Sequence, residues 1–145
     1  MKNIFLYLLI IIGCGKISEP NDFEGCWQFS REGYYMEMCL KESLIYFVME
    51  DAYEISSLSL ENSGPEHGHL KIYRGTHPFL EFELLEKKGD RLLVKDIEKG
   101  KEYHLYKLDM EFPSDSILND RLALDIEQQK FTARMFAFSD RWKNE

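Results

Sequence analysis

Cys26-Trp27-Gln28-Phe29-Ser30-Arg31-Glu32-Gly33-Tyr34-Tyr35-Met36-Glu37-Met38-Cys39 is the stretch on which the fold turns. Glu32-Gly33 can form a two-residue hairpin loop, because glycine accepts positive φ without steric cost. Folding the chain there sets Arg31 opposite Tyr34, Ser30 opposite Tyr35, Phe29 opposite Met36, Gln28 opposite Glu37 and Trp27 opposite Met38. Cys26 then falls opposite Cys39. Counting outward from the turn, that pair occupies a non-hydrogen-bonded site, where cross-strand side chains approach closest and a disulfide can span them. The same register segregates the faces. Trp27, Phe29, Met36 and Met38 share one side; Cys26, Gln28, Ser30, Tyr35, Glu37 and Cys39 share the other. Two independent constraints therefore agree on one hairpin closed by a Cys26–Cys39 bridge.

The pattern continues beyond Cys39. Leu44 to Met49 is a short apolar run rich in strand formers, the mark of a well-buried strand. Tyr53 to Leu60 alternates loosely and runs into the turn cluster Asn62-Ser63-Gly64-Pro65. His69 to Arg74 is the next strand, with Leu70, Ile72 and Arg74 on one face, and Gly75-Thr76-His77-Pro78 breaks the chain. Phe79 to Glu86, Arg91 to Ile97 and Tyr103 to Leu108 follow, separated by Lys88-Gly89-Asp90 and Glu98-Lys99-Gly100. About eight strands on short turns imply a mainly β fold, an antiparallel meander forming a small barrel or sandwich.

The tail reads differently. Arg121-Leu122-Ala123-Leu124-Asp125-Ile126-Glu127 alternates with a period of two and suggests a ninth strand. Phe131, Met135, Phe138 and Trp142 recur at helical spacing and predict an amphipathic helix from about Glu127 to Trp142, its stripe packed on the sheet. The rival is one long helix from Ser114, supported by the absence of Gly and Pro after Pro113.

Upstream, Lys2 precedes nine consecutive apolar residues, Ile4 to Ile12, closed by Gly13-Cys14. The run is about half the length that spans a bilayer, and it lacks the alternation of a half-buried strand. A positive start, a short apolar core and a small-residue end form a secretory signal. Ile11-Ile12-Gly13-Cys14 resembles the lipobox of bacterial lipoproteins. That resemblance implies cleavage before Cys14, acylation of Cys14 and a membrane contact through the N-terminal lipid. Residues 1–13 are then the signal, 14–24 the lipidated cysteine and tether, and 25–145 the folded domain. A tether of about 10 residues reaches about 17 Å, which keeps the domain near the lipid surface. Gly15 stands where the enteric retention signal has Asp, so the same resemblance favours the outer membrane of a bacterial envelope.

Gly25-Cys26-Trp27 at the head of the first strand, followed by a meander, is similar to the lipocalin pattern. The resemblance implies a lipocalin-like (calycin-type) barrel with Trp27 plugging one end. A barrel of that kind either fills with side chains or holds one small ligand; the expected occupant is an unknown small apolar ligand against Trp27, Phe29, Met36 and Met38.

Charge and motifs narrow the chemistry. The formal net charge is −8, and no Lys/Arg cluster exists to follow a phosphate backbone, so nucleic acid is excluded as a partner. Such a chain gains nothing from anionic lipid by charge. An oxidised Cys26–Cys39 pair has no thiolate to act as a nucleophile, and their spacing does not fit a zinc finger. His67, His69 and His77 lack a fixed third ligand and read as solvated loop side chains. Glu50 and Asp51, or Glu81 and Glu83, read as strand-surface carboxylates. No Gly-x-Ser-x-Gly, phosphate loop or dinucleotide fingerprint occurs. The expectation is a non-enzymatic protein with no catalytic residue, no metal and no cofactor: a ligand-binding module. The alternatives are an inhibitor or immunity protein that blocks an envelope enzyme or toxin, and a structural envelope component.

Overall fold

The computed structural model describes residues 22–42, 44–49, 52–62, 68–114 and 116–142. The hairpin forms as its residues dictate. Strands β1 (Gly25–Arg31) and β2 (Tyr34–Lys41) pair in the expected register from Arg31↔Tyr34 to Cys26↔Cys39. Glu32 and Gly33 both take positive φ in the turn, at 55° and 89°, the geometry of a twist-matched two-residue loop. Cys26 and Cys39 are joined by a disulfide, their Cα atoms 3.9 Å apart.

The meander continues through β3 (Leu44–Met49), β4 (Ala52–Asn62), β5 (Gly68–Arg74), β6 (His77–Lys88), β7 (Arg91–Asp96) and β8 (Glu102–Leu108). Every neighbour is antiparallel, and β8 pairs with β1 through Cys26↔Leu108, Trp27↔Lys107 and Gln28↔Tyr106. The sheet is thus a closed barrel in sequence order, and closure removes the exposed edges that invite aggregation. The chain break expected at Gly75-Thr76-His77-Pro78 is shorter than predicted. Only Gly75 and Thr76 form the turn, and β6 starts at His77. Pro78 is admitted because the register slips between Ile72 and Tyr73; at such a bulge proline's missing N–H costs no ladder bond.

Alternation sends one side chain in two inward. Trp27, Phe29, Met36, Met38, Ile45, Phe47, Leu70, Ile72, Leu80, Phe82, Leu92, Val94 and Leu105 form one continuous apolar cluster. Phe23 joins it, so the tether expected over residues 14–24 gives way to folded structure by Asp22, whose carboxylate meets Lys87 Nζ at 3.0 Å. Phe23 is drawn in because its ring belongs to the core and its carbonyl accepts Trp27 Nε1–H at 2.8 Å.

After β8 come a short helix, α1 (Ser116–Asn119), and a long one, α2 (Arg121–Trp142). The ninth strand predicted over Arg121–Glu127 is helix instead. Asp120 decides this: its Oδ1 accepts the amides of Leu122 at 2.9 Å and Ala123 at 3.3 Å, and its carbonyl accepts Leu124 N–H. That is an N-cap, and the Leu, Ala, Glu, Gln and Lys behind it are strong helix formers. The period of two in Leu122, Leu124 and Ile126 is incidental.

The helix covers the outside of the barrel. Phe131 and Phe138 flank the Tyr35 ring at 5.3 and 5.2 Å, and Phe138 reaches Tyr106 of β8 at 6.0 Å. Met135 joins them, with Met110 and Phe112 of the preceding loop, over Cys26, Cys39, Tyr46, Val48 and Leu108. The predicted stripe is therefore core packing for Phe131, Met135 and Phe138, while Trp142's side chain lies outside the described residues. This cover explains why β2 and β3 are buried on both faces.

Candidate functional site

The four residues expected to hold a ligand are all inside the barrel. Trp27, Phe29, Met36 and Met38 are 2, 0, 6 and 0% exposed. Phe29 packs against Phe47 at 6.5 Å and edge-on to Phe82 at 5.9 Å. A side chain with no accessible surface has no water-sized void beside it, so the neighbours of Phe29 and Met38 are other side chains. An eight-strand barrel has an interior that side chains can fill, and around these residues they do. A ligand reaching Phe29 would have to displace Phe47, Phe82 or their neighbours.

Trp27 lies near the Gly25 end of β1. Lys107 Nζ stands 5.0 Å over its ring, a cation–π contact. Gly25 makes room for it. A Cβ at Gly25, where φ is +111°, would lie 2.7 Å from Lys107 Nζ. Glycine at this position thus has a local cause: φ of +111° disfavours any other residue, and a Cβ would also push the Lys107 ammonium away.

The opposite end carries a charged pair. Arg31 continues the inward row of Trp27 and Phe29, and Asp96 continues that of Leu92 and Val94. Arg31 Nε donates to Asp96 Oδ2 at 2.9 Å, and Asp96 Oδ1 accepts the Lys99 amide of the β7–β8 turn at 2.9 Å. The fully buried Asp96 therefore latches the β1–β2 hairpin to that turn.

A second polar cluster lies beneath α2. Glu37, fully buried in β2, receives Arg134 on both oxygens: Nε to Oε1 at 2.7 Å and Nη2 to Oε2 at 2.9 Å. Arg134 Nη2 also donates to Glu127 Oε1 at 2.6 Å. The Tyr35 hydroxyl sits 2.7 Å from Glu37 Oε1 and 3.1 Å from Gln28 Oε1. It has one proton, which goes to the carboxylate; Gln28 is satisfied with its amide turned to present N–H. Burial, then the charge of Glu37, raises Tyr35's pKa well above the phenol range, so the hydroxyl stays a donor. Burial alone would lower Arg134's pKa, but its bonds to Glu37 and Glu127 outweigh this and hold the guanidinium charged. Glu37 has both oxygens engaged. The cluster is a clamp between helix and barrel.

Sequence reasoning placed Glu37 correctly on the outer face but gave it no partner. The signal was present in the spacing: Glu127, Arg134 and the stripe Phe131–Phe138 share one helix face, and Glu37 interrupts an otherwise apolar strand.

The histidine and carboxylate candidates do not converge. His69 Nε2 lies 2.9 Å from Glu81 Oε1, and Lys71 Nζ 3.5 Å from Glu81 Oε2, a strand-surface ion group. His77 is exposed where β6 begins. His67, Glu50 and Asp51 lie outside the described residues, as do Cys14 and the segment 1–21. Among the described residues no three His, Cys, Asp or Glu side chains gather to hold a metal ion.

The Cys26–Cys39 bridge is predicted to carry a large share of the stability. Closing a loop of separation 13 contributes about 3 kcal/mol in the chain-entropy treatment. Urea unfolding of oxidised and reduced protein measures it; equal midpoints would refute that contribution. Because both sulfurs lie under α2, reduction of the native protein is expected to be slow and to accelerate with denaturant.

No protein-family model matches the chain, and searches of curated proteins and of solved structures return no match. The class that fold and site define is, over the described residues, an eight-strand closed barrel with an outer helical cover, locked by the Cys26–Cys39 disulfide and by the buried Arg31–Asp96 and Glu37–Arg134–Glu127 ion groups.

Proposed function

We propose that this chain is a lipid-anchored module of the bacterial envelope that acts without catalysis, by binding a protein on its outer surface as an inhibitor or immunity factor. The filled interior around Phe29 carries this reading. A lipocalin-type barrel that holds ligand needs a hollow, whereas a packed barrel is a rigid scaffold for surface contacts. The acidic balance, −8 over the chain, suits a basic target, since complementary charge accelerates encounter. The anchor reading rests on the Lys2-to-Cys14 segment, and a multi-acyl anchor is stable where a single chain is not. Gly25-x-Trp27 and the sequential meander support the lipocalin-like reading of the scaffold.

Two measurements test the proposal. In the anchor test, Cys14→Ser is expected to abolish the acyl mass increment and release the protein from membranes; unchanged mass and fractionation would refute the anchor. In the binding test, the full chain is purified from its own host and examined by native mass spectrometry. A ligand-free protein with a stoichiometric protein partner is expected. A co-purified apolar small molecule would overturn the proposal in favour of the ligand-carrier reading.

A further inference from the structure

Helix α2 is apolar on two opposite sides. One side, with Phe131, Met135 and Phe138, is spent on the barrel. The other carries Leu122, Ile126 and Phe136 in solvent, 68, 44 and 62% exposed. With Gln129 and Ala133, also exposed, these residues recur at +4, +3, +4 and +3. That is the seam of a two-stranded coiled coil, in which Leu122, Gln129 and Phe136 occupy one core position and Ile126 and Ala133 the other. Isolated surface leucines are ordinary, but a row of large apolar groups along one helix line is a contact surface.

The flanking charges select the occupant. Asp125 precedes Ile126, and Lys130 follows Gln129. In a parallel pair of such helices, a residue before one core position faces the residue five places later on the partner helix. Asp125 of one copy thus faces Lys130 of the other, twice, by symmetry. Neither side chain has an ion-pair partner among the described residues. An antiparallel pair would instead bring the two Lys130 side chains together. Gln129 would lie opposite its own copy, where paired amides fix register at some cost in strength. Asp140, next along the seam, would meet itself, so the contact ends at Phe136.

We propose that the outer face of α2 is the interface of a parallel homodimer, two copies packing Leu122, Ile126, Ala133 and Phe136 together with reciprocal Asp125–Lys130 pairs. Leu122 to Phe136 spans only about 21 Å of helix, short of a standard interface, so the dimer is weak and exchanging. Confinement on one membrane would raise its effective concentration.

The test uses the full chain in its host's envelope. Gln129→Cys places a thiol on the seam, and Gln128→Cys places one beside it, turned away. The wild-type chain sets the background from Cys14, which is high only where that cysteine is unacylated. Under mild oxidation Gln129→Cys is expected to form a cross-linked band of twice the chain mass, well above Gln128→Cys. Asp125→Lys in that background should lower dimer affinity about fivefold, the scale of two exposed ion pairs. Adding Lys130→Asp should restore it. Equal cross-linking at 128 and 129, a band of any other mass, or failure of the charge swap to restore the dimer would overturn the proposal.

Discussion

Arg134→Met is expected to destabilise the protein by about 3–5 kcal/mol, the cost of removing one partner from a buried ion pair. The reason is the asymmetry of the clamp. Glu37 is fully buried, and Arg134 supplies two hydrogen bonds to it and one to Glu127. Methionine matches the aliphatic stem but leaves Glu37 with the Tyr35 hydroxyl alone. Stranded charge in a low-dielectric site costs more than the lost contact itself. A double replacement separates the two effects. With Glu37→Leu added, no carboxylate is left stranded in β2, and most of the loss should return, since apolar substitutes for a buried pair are often neutral. Urea midpoints of wild type, single and double variants give the coupling directly. A single variant within about 1 kcal/mol of wild type would mean that water reaches Glu37 once Arg134 is gone, because a surface ion pair is worth no more than that.

That experiment also marks where sequence legibility stops. The hairpin from Cys26 to Cys39 could be read completely because turn chemistry, alternation and a pair of cysteines each fix the same register. β3 follows from its apolar run and β5, β7 and β8 from strand formers between turns, and closure of β1 on β8 follows the meander without a separate signal. The tail was ambiguous because a helix with apolar residues on two sides has no single stripe. Leu122 and Ile126 point to solvent, so the segment mimics strand alternation, and only the Asp120 cap distinguishes the two. Glu37 was placed on the right face, but nothing adjacent in sequence shows that Arg134, almost a hundred residues later, returns to neutralise it. The interior residues could be identified from alternation, but inward apolar side chains look the same whether a barrel is packed or hollow, since what differs is the volume between them.

Phe29→Ala measures that volume. Phe29 sits between Phe47 and Phe82 with no accessible surface. In a packed barrel its truncation removes the ring's transfer free energy and leaves a void that closed strands cannot collapse around, so the expected loss is about 3–5 kcal/mol. In a hollow barrel the ring would already border empty space; no cavity penalty would follow, and the loss would fall toward the transfer term alone, about 2 kcal/mol. The void itself provides a second readout. A ring-sized apolar cavity stays dry and accepts benzene. Benzene should therefore raise the melting temperature of Phe29→Ala through linkage to the native state and leave the wild-type protein unmoved. A wild-type chain that is itself stabilised by benzene, together with a small loss for the variant, would show open space at the centre of the barrel and return the ligand reading to first place. The packed outcome fixes Phe29 as structural and confines recognition to the outer surface, where the exposed face of α2 and the acidic charge reside.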